Sequence, residues 1–440
     1  MGAQLEQLAI IEQVKQPRKP TRVRYTILFL LFIITAINYM DRASISIVAP
    51  AIQSYFDLSP ALLGLIFSAF SWTYAAMQIP GGLIVDKFGS RLTYGISLIA
   101  WSIATGLQAF ANGFAFLFGS RLLLGITESP AFPANNRIAA TWFPQRERAF
   151  ASSVFSAGQY MGLAFATPVL FWLMTTFGWR SVFIVAGLIG LVFSIAWFKI
   201  YQDPKDNKKM NQEELDYIRE GGGLADHVSE GKKITWSNFL ELLKYRQLLG
   251  LCIGQFSIAS TLFFFLTWFP TYLAEEKSMP FLKVGIVASI PYMAAFFGVL
   301  FGGIWSDWLL RRGVSINIAR KMPVIIGLFL TSSIVLANYT SSATLVIAIM
   351  SIAFFAQGMS NTSWAMLAEV APRELMGVAG GVFSFFGNVA GILTPMIIGF
   401  IVTATGSYTG GILYVGVVAL MGALSYIFIV GKIKRIELKF

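Results

Sequence analysis

Long apolar runs recur along this chain, separated by short polar stretches, at about 25–50, 61–85, 92–111, 113–136, 149–175, 180–201, 247–274, 283–308, 321–338, 343–369, 375–404 and 409–431. A helix needs ~20 apolar residues to cross the hydrocarbon core of a bilayer. The pattern therefore predicts an all-α membrane protein of twelve transmembrane helices. Residues 202–246 form the one long polar segment, and they split the chain into two six-helix bundles, 25–201 and 247–431, with tails at 1–24 and 432–440. Inside that linker, Asn211 to Glu220 reads as a short amphipathic helix capped by Asn211 and stopped by Gly221-Gly222-Gly223.

Composition agrees with this reading and narrows the chemistry. The 440 residues are 56% hydrophobic and only 12% charged, about half the charged fraction of a soluble domain. With one Cys and one His (His227, in the linker), neither a disulfide framework nor a His-based metal cluster is available. No metal or cofactor is expected, and no nucleophile–base pair supports an enzyme. The polar, basic stretch 1–24 lacks a signal-peptide pattern.

The net charge of +11 is placed asymmetrically. Of 33 Lys and Arg, 28 fall in the tails or in alternate loops, Arg42 and Arg121 fall within spans, and only Arg180, Lys277 and Lys283 lie on the opposite side. That is the positive-inside bias, so both termini and the linker are expected in the cytoplasm. The charge speaks for a membrane rather than for nucleic acid.

Charges inside spans carry the functional signal. Arg121 and Glu128 are seven residues apart in the fourth span, almost two helical turns, so both project to one side. Each costs ~2.5–3.5 kcal/mol at the bilayer midplane, which points to a polar cavity at the centre of a transport path. The plainer reading is a salt bridge that only locks the bundle. Asp41 and Arg42 sit in the middle of the first span; adjacent residues are ~100° apart around a helix, so the two cannot share one partner. The second-half spans carry no charge near mid-membrane, only polar groups such as Gln255, Gln357, Asn361, Trp364, Ser384, Asn388 and Thr394. These either line a cavity or join helices.

Other local features describe helix packing. Gly82, Asp86, Gly89 and Arg91 form a turn after the second span, where Asp86 can latch onto neighbouring helix ends. Pro130 and Pro133 predict a kink in the fourth span. Gly158 and Gly162 make a small-residue seam beside Gln159. Trp142 and Trp179 flank spans, as interfacial anchors do.

Three of these features return in the second half, in the same order. Gly82 and Asp86 recur as Gly303 and Asp307, followed by Arg311; Pro144-Gln-Arg-Glu147, Ser156 and Thr167-Pro168 recur as Pro372-Arg-Glu374, Ser384 and Thr394-Pro395, one residue shorter; Gly158 and Gly162 recur as Gly387 and Gly391. Two homologous halves are the build of a secondary transporter with its site between them at the midplane.

At this point the chain resembles the major facilitator superfamily, through the motif after the second span, its echo after the eighth, and Arg121-x-x-x-Gly125. More narrowly it is similar to the anion:cation symporter family, through Asn38-Tyr-Met-Asp-Arg-Ala43, Phe67-Ser-Ala-Phe-Ser-Trp72, Gln78-Ile-Pro-Gly-Gly82, Pro130-Ala-Phe-Pro133, Thr267-Trp-Phe-Pro270 and Lys434-Arg-Ile-Glu-Leu438. Within that family the likeness is greatest to bacterial glucarate/galactarate and galactonate transporters. The resemblance implies uptake of a sugar acid of the glucarate/galactarate class with protons, by alternating access, as a monomer in the lipid of a bacterial inner membrane.

The same resemblance implies roles for particular residues. Asp41 and Glu128 match protonatable acids, Arg121 their basic partner, and Arg42 the residue that holds substrate carboxylate. Tyr39, Tyr74, Gln159, Gln255, Trp364 and Asn388 match cavity-lining positions, and Gly82, Asp86, Gly89, Arg91, Gly303, Asp307 and Arg311 the conformational motif. Ser384 stands where relatives often have Asn, which leaves the hydroxyl pattern of the substrate open.

The residue types fit such a substrate. Arg bonds a carboxylate bidentately and does not deprotonate, whereas hydroxyls want neutral donors and acceptors beside an aromatic face. Labour is thus divided between a charged first half and an uncharged second half. Galactonate or hexuronate, sodium coupling and organophosphate exchange are the alternatives within the transporter class.

Overall fold

A computed structural model describes residues 20–224, 244–372 and 375–436. The tail before residue 20, linker residues 225–243 with His227, the Arg373-Glu374 part of the second-half repeat, and 437–440, which hold the end of the Lys434-to-Leu438 motif, lie outside the described residues.

The first half consists of α1 (Val23–Phe56), α2 (Pro60–Phe88), α3 (Ser90–Leu107), α4 (Phe114–Glu128), α5 (Ala131–Trp142), α6 (Arg148–Phe177) and α7 (Trp179–Ile200). The linker helix α8 (Gln212–Glu220) follows. The second half holds α9 (Arg246–Thr267), α10 (Phe269–Glu275), α11 (Phe281–Arg311), α12 (Ile316–Ser332), α13 (Ala343–Met359), α14 (Ser363–Val370), α15 (Met376–Thr405) and α16 (Thr409–Leu424). Read as up-and-down passages these make two sets of six, with α4–α5, α9–α10 and α13–α14 each sharing a passage. Ten passages among the described residues are long and apolar enough to cross a membrane. The third and fourth are not: α3 opens on Ser90-Arg91, and the fourth is interrupted and carries Arg121 and Glu128.

The expected kink in the fourth passage is a full break at Ser129–Pro130. Pro130 cannot donate to the carbonyl of Ile126; the Ser129 hydroxyl donates to it instead, at 2.9 Å. Gly81 of α2 lies against this break, where a Cβ would come within 3.1 Å of Pro130 and of the Ser129 hydroxyl. The tenth passage is interrupted likewise, at Ser360–Thr362 between α13 and α14.

Close helix packing follows the glycines. A Cβ on Gly158 or Gly162 of α6 would fall 2.5 Å from the Phe32 carbonyl or 2.3 Å from that of Ala36 on α1, so the expected seam joins the first and fifth passages. The repeat positions pack differently. Gly387 faces Gln255 of α9, and Gly391 faces Phe263 of α9 and Ser71 of α2.

Alternation of the passages puts Val23, α8 and the end of the twelfth passage at one end of the bundle, here termed the linker side. The two halves meet tightly at the opposite, far side. There Gly64 of α2 packs on Pro395 and Gly399 of α15, Gly285 of α11 packs on Phe171 of α6, and the Ala61 amide donates to Thr403 Oγ1 at 2.8 Å. On the linker side, Gly303 and Gly380 have nothing within reach of a Cβ. The structure is sealed at the far side.

The expected linker helix forms, with Asn211 accepting from the Glu214 amide at 3.0 Å. It docks on the first half. Glu214, fully buried, accepts from Arg24 Nη1 at 2.9 Å and from the Val23 amide at 3.0 Å, so it serves the start of α1 as a cap that Arg22 does not supply. Docking also corrects the expectation for Trp142. Its indole is fully buried in a cluster with Tyr201 and Ile218, because the linker folds over that end. Trp179 is also buried, ringed by Tyr55, Phe56 and Phe183.

Candidate functional site

A cavity lies between the halves at the level where helices of both are interrupted. Its volume is about 160 Å³, below the ~300–1,000 Å³ of typical small-molecule sites and enough for one compact ligand. The first half contributes Tyr39 and Arg42 from α1, Tyr74 and Gln78 from α2, and Gln159 and Tyr160 from α6. The second half contributes Gln255 from α9, Gln357 from α13, Asn361, Trp364 from α14, and Ser384 and Asn388 from α15. All eight expected substrate-binding positions are at this one cavity.

Arg42 is the only charged group among its lining residues. Its guanidinium lies 4.6 Å from the ring centre of Phe70, 4.7 Å from Tyr39 and 4.8 Å from Tyr74. Each such cation–π contact is worth ~0.5–2 kcal/mol. Nε donates to Oε1 of Glu128, at the end of α4, and Nη2 forms an ion pair with the same oxygen.

Asp41, Arg121 and Glu128 do not line the cavity. They lie behind Arg42, with Asp41 and Glu128 fully buried and Arg121 only 2% exposed. Arg121 shares Phe70 with Arg42, at 5.5 Å from the ring centre, and its Nε and Nη1 make no hydrogen bond among the described residues. Both Asp41 oxygens and Glu128 Oε2 lack a close hydrogen bond as well, although Trp101 approaches Asp41 and Asn38 approaches Glu128 as looser partners. The four charges sum to zero when both acids are ionised, and only one pair of them makes direct contact. Arg121 and Glu128 share a helix face, as the spacing requires, but the ion pair formed is Arg42 with Glu128.

Neutral hydrogen bonds cross between the halves here. Tyr160 donates to Gln357 Oε1 at 3.2 Å, and Asn388 Nδ2 donates to Gln78 Oε1 at 3.0 Å. Trp364, 37% exposed, lines the cavity and packs in a T-shaped contact with Phe383, ring centres 4.8 Å apart. Gly387 leaves room for the Gln255 amide, where a Cβ would be 3.2 Å from Nε2.

Sequence reasoning did not assign Phe70, Gln78, Tyr160, Gln357 or Asn361 to the site. Gln357 and Asn361 are four apart on one face, and Gln78 opens a quoted motif, so those signals were present. Tyr160 was hidden beside Gln159, since adjacent helical residues rarely face one cavity. Phe70 lies in the Phe67-to-Trp72 motif, but its residue type alone does not separate it from a core aromatic.

The conformational motif lies at the linker side. Asp86 pairs with Arg137 of α5 at 2.9 Å, and Arg137 also donates to the Val85 carbonyl. Gly89 turns the chain at φ 79°, and Arg91 donates to the Phe198 carbonyl at 3.0 Å. In the second half Asp307 pairs with Arg320 of α12 at 2.9 Å. The repeated carboxylates thus have different partners, the fourth passage in one half and the ninth in the other. Gly303 is open on its Cβ side, and Arg311 is exposed.

Two interrupted six-helix bundles around a central polar cavity have the build of a membrane transporter. The chain belongs to the major facilitator superfamily, whose model matches residues 31–395. It is 44% identical over 444 residues, 98% of this chain and all of the other, to a protein of Escherichia coli (strain K12) named probable galactarate/D-glucarate transporter. It is 45% identical over 423 residues, 95% of this chain and 98% of the other, to a D-galactonate transporter of Escherichia coli O6:H1. Among solved structures, a bacterial homologue of the human lysosomal transporter Spinster, inward-facing and occupied, superposes with a TM-score of 0.75 at 18% identity, over 92% of this chain and 97% of that one.

Proposed function

We propose that this protein takes up a sugar acid of the aldarate–aldonate class together with protons across a bacterial inner membrane, with the linker side facing the cytoplasm. The observation that carries the reading is Arg42. It is the one charged group facing a cavity of otherwise neutral polar and aromatic residues, and it is held there by an acid that does not itself face the cavity. Relatives at 44% and 45% identity bear sugar-acid names. The orientation rests on the distribution of Lys and Arg.

Coupling follows from competition for one guanidinium. A substrate carboxylate arriving at Arg42 displaces Glu128, and two carboxylates cannot both stay ionised on one cation away from water. Glu128 therefore takes a proton as substrate binds and returns it as substrate leaves. Asp41, buried beside Arg121, is the second acid available for a proton. A pH gradient then contributes ~1.4 kcal/mol per unit for each proton carried. Arg121, free of direct hydrogen bonds at two nitrogens, stabilises whichever of the acids is ionised.

The test is reconstitution into vesicles with the external pH followed while glucarate, galactarate or galactonate is added, with sodium replaced in a parallel run. Substrate-dependent alkalinisation outside, unchanged without sodium, is expected. Uptake with no pH change removes proton coupling. Uptake that needs sodium assigns the coupling ion to sodium instead.

A further inference from the structure

We propose that the cavity accommodates one carboxylate only, so that the substrate's other end is uncharged and aldonates are preferred to aldarates. The proposal rests on the sugar-acid reading above and narrows it.

The argument is a census of charge at the two ends of the cavity. Arg42 marks the first-half end. Facing it across the cavity are Gln255, Gln357, Asn361, Ser384 and Asn388: amides and a hydroxyl, with no lysine, arginine or histidine. These groups suit hydroxyls, which both donate and accept. They suit a second carboxylate poorly, because neutral donors leave its charge without a counter-ion.

Among the described residues neither end has a second cation to offer. Arg121 does not line the cavity, is 2% exposed, and lies against the Phe70 ring that Arg42 also covers. Two of the polar groups opposite are already engaged. Gln357 donates to the Ile258 carbonyl at 3.3 Å while accepting from Tyr160, and Asn388 donates to Gln78. A ligand with one charged and one polyhydroxylated end matches this arrangement without leaving a buried charge unpaired. Ser384, short and neutral, lines the cavity from the second half, the half that carries no charge there.

Binding to the purified full-length protein at neutral pH tests this, with galactonate, galactarate and the monomethyl ester of galactarate as the three probes. Galactonate is expected to bind at least tenfold tighter than galactarate, a difference of 1.4 kcal/mol. The monoester, whose far carboxyl is neutral, should bind close to galactonate. In the variant Ser384→Arg, which supplies the missing cation, galactarate should gain at least tenfold relative to galactonate. Galactarate binding as tightly as galactonate, or tighter than its own monoester, overturns the proposal while leaving the sugar-acid reading in place. If none of the three probes binds, the sugar-acid reading falls and this proposal falls with it.

Discussion

Arg42 holds Glu128 by two nitrogens on a single carboxylate oxygen, and the other oxygen, Oε2, is buried without a close hydrogen bond. The pair joins the first and fourth passages across the first half of the molecule. The contact through a single carboxylate oxygen fits the proposed exchange of Glu128 for a substrate carboxylate.

Replacing the acid by its amide isolates the proton. Glu128→Gln keeps a side chain of the same size but cannot ionise, so it no longer withholds Arg42 from substrate. Proton-driven accumulation should be abolished, while exchange of labelled for unlabelled substrate continues at a measurable rate. Equal loss of both in vesicle assays would reassign Glu128 to holding the bundle together.

Replacing the cation tests the geometry. Arg42→Lys keeps the charge but loses the planar fork and its contacts with Tyr39, Phe70 and Tyr74. Substrate affinity should fall by ~10–100-fold, one to two steps of 1.4 kcal/mol. Arg42→Ala should in addition lower thermal stability, since leaving a buried acid unpaired costs ~3–5 kcal/mol. Measuring binding and melting on the same preparations separates the two effects.

The far-side seal rests on glycine. At Gly64 a Cβ would come 2.6 Å from the Pro395 carbonyl, and at Gly399 one would come 2.6 Å from that of Pro60. A bulky Gly64→Leu substitution should force α2 and α15 apart at that side and disfavour the sealed state. A reporter cysteine placed on the far-side wall of the cavity should then react with a membrane-impermeant maleimide several-fold faster than in the parent. The native Cys252 is buried and contributes little background. Unchanged labelling would show that the seal lies elsewhere.

Docking of the linker is separable from transport chemistry. Glu214→Ala removes the carboxylate that accepts from Arg24 and caps α1. A loss of ~3–5 kcal/mol is expected for breaking a buried pair, seen as a lower melting temperature in detergent. Substrate affinity should be unchanged, because the cavity contains none of these groups; a weaker affinity would tie the linker to the site.

Much of the architecture was legible because lipid imposes length. Apolar runs had to be about as long as the bilayer is thick, and the repeated Gly and Asp positions revealed two halves. The cavity-lining residues were legible through family motifs, and the linker helix through Asn211. Contacts between helices distant in sequence were not. Periodicity placed Arg121 and Glu128 on one face, yet the guanidinium bonded to Glu128 comes from α1. Trp142 was misread for the same reason: its position beside a span is local information, and the linker that covers it arrives many residues later.

The unlike clasps at the linker side give the halves unlike mechanics. Asp86 fastens α2 to α5 through Arg137, and α5 continues from the passage that ends in Glu128. Asp307 fastens α11 to α12, a passage that contributes nothing to the cavity lining. In the proposed cycle, a shift at the end of α2 would therefore reach the passage that carries Glu128 one joint away, whereas the matching shift of α11 would reach a passage outside the cavity lining. On that proposal the first half is the one in which movement and protonation would share a lever.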